Sequence, residues 1–154
     1  MLKRILWLSL CGLAGSVVFN PSEAQSATIG GHSGHGWPNS ALGCFQGSWS
    51  DMINNCTTNT VLVMPVTVTK IGVHTVRVRA KGNGTSNFTT CRAIRNDQNN
   101  GGFLTASVST SSTAFTNLNL GTINVPSSDT LHFECNVAPV SGAFRGSVLN
   151  VNWF

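Results

Sequence analysis

The sequence predicts an all-β protein, an antiparallel β-sandwich or jelly roll of about eight short strands held by two disulfides. Three observations predict it. From Thr60 onward, runs rich in Val, Thr, Ile and Phe recur at short intervals between Gly, Ser, Asn, Pro and Asp turn signals, and no amphipathic helical period appears. Several runs alternate strictly between apolar and polar residues, "HTVRVRAK" at 74–81 most clearly, as a half-buried strand must. Four cysteines, Cys44, Cys56, Cys91 and Cys135, follow the N-terminal leader, and an even count in an exported chain points to bridges.

The leader opens the chain. Lys3 and Arg4 precede an apolar run from Ile5 to Phe19 and a small-residue step, Ser22-x-Ala24. That order marks a secretory signal peptide over residues 1–24. The run is shorter than the roughly 20 residues of a membrane span, and the bulky Leu10 before Cys11 fits lipoprotein cleavage badly. Residues 25–43, "QSATIGGHSGHGWPNSALG", are rich in Gly, Ser and His without periodicity and read as a flexible arm ahead of a domain at 44–154. "CFQGSWSDMINNC" reads as a small loop closed by Cys44–Cys56; Cys91–Cys135 is the preferred second pairing, joining two predicted strands. Strands are then expected in "VLVMPVTVTKIG", with Pro65 marking an edge or bulge, in "VHTVRVRAK" and "NFTTCRAIR", and in "FLTASVSTS", "FTNLNLGTINV", "TLHFECNV" and "RGSVLNVNWF".

Charge is sparse, 9% of residues, with a formal net charge of +4. The excess is too weak to indicate nucleic acid. No Gly-x-Ser-x-Gly elbow, H-E-x-x-H motif or P-loop is present. The acids after the leader are Asp51, Asp97, Asp129 and Glu134, and none forms an evident pair for glycoside hydrolysis. No cofactor or metal is expected: the cysteine spacings lack the close pairs of zinc sites, and His32 and His35 alone leave a site incomplete. A transmembrane barrel is disfavoured, since Asn150 and Asn152 would face lipid and the chain contains no Tyr for an interface girdle.

Two candidate binding sites remain. In the 74–81 strand, Val76, Val78 and Ala80 face the core with His74 at their end, while Arg77, Arg79 and Lys81 share the opposite face. That stripe implies either an ordinary charged face, answered by Glu134 or by water alone, or contact with an acidic polysaccharide or anionic surface polymer. The second candidate is the small disulfide loop. There Trp49 offers a flat apolar platform, with Asp51, Asn54 and Asn55 as hydrogen-bonding neighbours of the kind that sugar hydroxyls require. His132 and Glu134 share the polar face of "LHFECNV" and read as water-facing strand residues rather than a catalytic pair. Asn55, Asn83 and Asn87 begin glycosylation sequons.

"VTVTKIGVHTVRVRAKGNG", then "NLNLGTINVPSSDTLHFECNV", then "GSVLNVNWF" resembles the strand pattern of carbohydrate-binding modules with the galactose-binding-like β-sandwich. The resemblance implies a non-catalytic sugar-binding module with a site in the loops at one end or on a sheet face. The expectation is therefore a secreted, non-enzymatic binding protein for a glycan or anionic surface polymer, with no nucleic-acid partner and no transmembrane span. A structural subunit that self-associates through exposed strand edges is the second expectation, and a small secreted hydrolase the third.

Overall fold

The structure, a computed structural model, describes residues 27–48, 50–68, 71–84, 87–96, 102–126 and 130–154. Residues 1–24, Trp49, Asp97 and Asp129, all singled out above, lie outside them. The described strands are β1 (Ala27–Gly30), β2 (His35–Trp37), β3 (Phe45–Gly47), β4 (Met52–Asn54), β5 (Thr60–Val66), β6 (Gly72–Lys81), β7 (Thr89–Asn96), β8 (Gly102–Leu104), β9 (Val108–Thr110), β10 (Thr116–Val125), β11 (Thr130–Val137) and β12 (Ser147–Trp153). They form two antiparallel sheets. The first runs β10-β6-β12-β4-β3, with β1 also paired to β12. The second runs β2-β5-β11-β7-β8, with β9 also paired to β7. The expected sandwich class holds, with twelve strands rather than eight. The extra ones are three- and four-residue strands, too short for a hydrophobic period to register.

The described part of the expected arm, 27–43, pairs into both sheets. It contributes β1, in register with β12 from Ala27↔Trp153 to Gly30↔Asn150, and β2, in register with β5 from His35↔Val63 to Trp37↔Val61. Glycine lets it lie this close: a Cβ on Gly31 would run into the backbone carbonyl of Val148. The sandwich therefore begins at Ala27 rather than Cys44 among the described residues.

The alternation read in the sequence fills the space between the sheets. Val76, Val78 and Ala80 of β6, Leu62 and Met64 of β5, Leu131 and Phe133 of β11 and Val148 and Val151 of β12 are buried together. The Phe133 and Trp153 rings meet at 6.5 Å between centroids. A register shift between Val148 and Asn150 turns both Val148 and Val151 inward although they are three residues apart. Gly121, at φ +91°, accommodates a second shift in β10. Pro65 is paired with His132 of β11 on one side and sits where β5 has outrun β2 on the other, the edge setting in which a strand tolerates proline.

Both disulfides are those expected. Cys44–Cys56 has an S–S distance of 2.01 Å, and Cys91–Cys135 ties two directly opposed residues of β7 and β11. Arg95 points inward and bonds the Asn124 carbonyl of β10 at 2.5 Å, linking the two sheets, while its guanidinium covers the Phe103 ring at 3.7 Å. No helix among the described residues is long and apolar enough to cross a membrane.

Candidate functional site

In the loop closed by Cys44–Cys56, Trp49 lies outside the described residues, and two of its three expected polar neighbours turn inward. Asn54 is fully buried. Its Nδ2 donates to the carbonyls of Thr58 and Val137, both at 3.0 Å, and its Oδ1 accepts from the Cys56 N–H at 2.9 Å. Asp51 is buried as well and accepts from the Ser147 hydroxyl at 2.6 Å. Both side chains are committed to holding the loop against β11 and β12, because a buried polar group must find its partner inside the fold. They are therefore anchors of the loop rather than surface ligands. Asn55 alone of the three stays exposed, and it donates to Gln46 Oε1 at 2.9 Å. Of the glycosylation sequons, Asn83 is buried, with its amide donating to the Pro139 carbonyl at 3.1 Å, whereas Asn55 and Asn87 are exposed.

The basic stripe is present as the alternation implied. Arg77 and Arg79 are exposed and Lys81 half-buried on the outer face of the first sheet. Pairing sets amides on both sides of them. Arg77 lies between Asn119 of β10 and Asn152 of β12, and Arg79 between Asn117 and Asn150. The Thr28 hydroxyl of β1 bonds Asn152 Oδ1 at 2.6 Å, and Asn152 Nδ2 reaches Asn150 Oδ1 at 3.3 Å. Arg77 lies 4.9 Å from the Phe154 ring centroid and Lys81 lies 4.9 Å from that of Phe115. Glu134 is not the counter-ion of this stripe. It belongs to the second sheet and pairs with Arg92 across β7 and β11 at 2.9 Å. The same polar period that places Glu134 outward puts it on the opposite layer of the sandwich, which strand order alone decides.

The outer face of the second sheet carries a constellation that the sequence did not single out. Cross-strand pairing aligns His35, Val63, Glu134 and Arg92 in one row and Trp37, Val61, Asn136 and Thr90 in the next. Trp37 is 61% exposed, unusual for so large an apolar side chain. Beside it lies a hollow of about 370 Å³ lined by His35, Trp37, Val63, Asn96, His132 and Glu134. A second hollow, about 350 Å³, adjoins it across Glu134 and reaches Arg92 and Asn136. A third, about 300 Å³, lies on the other side of Trp37 against Pro38 and Thr58. Burial holds the pKa of His132 below the ordinary imidazole value; Glu134 pulls it upward and Arg92 downward. His132 is thus biased to the neutral form, which both donates and accepts hydrogen bonds. The signal for Trp37 was its Gly-rich setting, "HGWPNS", which carries too few residues for a strand period to show.

No family model matches the chain, and no sequence among the curated proteins does. Solved structures do. The β-(1,4)-mannanase of Podospora anserina, a GH26–CBM35 protein, superposes at a TM-score of 0.54 with 7% identity over 83% of this chain and 27% of that one. The insecticidal crystal protein Cry2Aa gives 0.57 with 12% identity over 86% of this chain and 22% of that one. The CBM36-1 domain of a multidomain xylanase from the hindgut metagenome of Trinervitermes trinervoides gives 0.51 with 10% identity over 84% of this chain and 96% of that domain. This chain thus spans about a quarter of the mannanase and of the crystal protein, and nearly the whole of the CBM36-1 domain. At such identities the likeness is one of fold, and the fold is the β-sandwich that the sequence resemblance to carbohydrate-binding modules implied.

Proposed function

We propose that this chain is a secreted, non-catalytic glycan-binding protein whose principal binding face is the outer face of the second sheet, centred on Trp37. The observation that carries the reading is the exposed Trp37 ring beside the hollow lined by His35, Asn96, His132 and Glu134. A sugar ring presents a patch of C–H groups that packs on an indole face and a rim of hydroxyls that needs donors and acceptors; the hollow supplies both. Its volume falls within the ordinary range of small-ligand sites. The fold it shares with a carbohydrate-binding module, CBM36-1, supports the reading. The non-catalytic part is supported by the two described acidic side chains: Asp51 is buried against Ser147 of the first sheet, and Glu134, on the second, is paired with Arg92. Two disulfides and the signal-like leader support secretion.

The test is a glycan array probed with the protein from residue 25 onward, alongside Trp37→Ala and Trp49→Ala variants. Loss of glycan binding on Trp37→Ala with Trp49→Ala unaffected is the expected result. Loss confined to Trp49→Ala would return the site to the disulfide loop and overturn the sheet-face assignment. No binding to any glycan would overturn the function.

A further inference from the structure

We infer that the outer face of the first sheet is a separate site for an acidic polysaccharide that bears carboxylates, a polyuronate in chemical class. Three observations carry this. The first is charge. Arg77, Arg79 and Lys81 alternate along one strand face, which a strand rise of about 3.3 Å per residue spaces at intervals of roughly 6.6 Å. The acidic side chains among the described residues, Asp51 and Glu134, are respectively buried against Ser147 and paired with Arg92 on the other sheet, so neither neutralises the stripe.

The second observation is the amide field. Asn117, Asn119, Asn150 and Asn152 flank the two guanidinium groups from both neighbouring strands, and Thr28 extends the row to β1. Guanidinium groups take a planar carboxylate through two parallel N–H bonds, while amides exchange hydrogen bonds with hydroxyls in either direction. A ligand that alternates carboxylates with hydroxyls matches that field. A nucleic-acid backbone offers few hydroxyls, and the Phe154 and Phe115 rings on which its bases would stack already lie under Arg77 and Lys81.

The third observation is where the stripe ends. Lys81 lines a hollow of about 210 Å³ together with Arg145, Thr113 and the exposed Phe144. The line of cations therefore leads into a cationic recess with an aromatic wall, the size of a terminal or branching residue rather than of a polymer chain.

The proposal does not depend on the Trp37 face, and its test keeps the two apart. Binding of polygalacturonate is measured by calorimetry at low and moderate salt, with neutral dextran, dextran sulfate and single-stranded DNA as comparisons. Polygalacturonate binding that weakens as salt rises is expected, with no binding of neutral dextran at this face. Arg77→Gln/Arg79→Gln should weaken it about tenfold or more, while Trp37→Ala leaves it unchanged. If that double variant fails to fold, Arg79→Lys keeps the charge and removes the two-pronged contact, and it should weaken polygalacturonate severalfold. No binding of polygalacturonate by the parent protein, or equal binding by the parent and these variants, would overturn the proposal. Tighter binding of dextran sulfate or DNA through the same arginines would overturn the carboxylate assignment.

Discussion

Asn54→Ala separates a loop anchor from a ligand contact. The substitution deletes both donors and the acceptor of one buried amide, and with them the bonds to the carbonyls of Thr58 and Val137 and to the Cys56 N–H. Each such bond contributes about 1 kcal/mol net, so the three together come to about 3 kcal/mol. For a domain of this size that corresponds to a fall in melting temperature of roughly 10–15 °C. Asn54→Asp, which sets a carboxylate oxygen against those same carbonyls, should cost at least as much. Thermal melts followed by circular dichroism, with both disulfides intact, give the values directly. A variant that melts with the parent but no longer binds glycan would refute the reasoning and restore Asn54 to the surface.

Three further outcomes are expected. Trp37→Ala should leave the melting temperature within about 2 °C, as exposed substitutions do, and weaken glycan binding about tenfold in titration calorimetry. Replacing Cys91 and Cys135 by Ala should cost about 4 kcal/mol in urea unfolding and replacing Cys44 and Cys56 about 3 kcal/mol, since the first pair closes a loop of 44 residues and the second one of 12; the reverse order would show that strain or residual structure, not loop length, sets the values. The lowered pKa of His132 means that the unfolded chain binds more protons than the folded one between the folded value and 6.5. Its contribution to stability is therefore complete above about pH 6.5 and declines as pH falls through that window; His132→Gln should flatten this part of a urea-midpoint profile, and an unchanged profile would count against the burial of His132.

The strands with a long period were legible. In β6 and β11 the alternation separates Val76, Val78 and Ala80, and Leu131, Phe133 and Cys135, from their polar neighbours, because an apolar face must be covered and a strand shows its two faces in strict turn. The cysteine count helped with the bridges: the four cysteines from Cys44 onward have only three ways to pair. β1, β2, β3 and β4 were not legible. They are three or four residues long and hold their places by backbone pairing, for which residue type is a weak guide.

For the binding residues the division is sharper. Sequence by itself determined that Arg77, Arg79 and Lys81 share one outward face, and that His132 and Glu134 share another. Only the tertiary structure decided that these faces belong to opposite sheets, that Glu134 answers Arg92 instead of the stripe, and that Trp37 stands beside His132. It also decided that Asp51 and Asn54 turn inward. Period fixes which side of its own strand a residue occupies. Which strands become neighbours, and so which side chains meet, depends on pairings between residues far apart in the chain, and no local pattern encodes them.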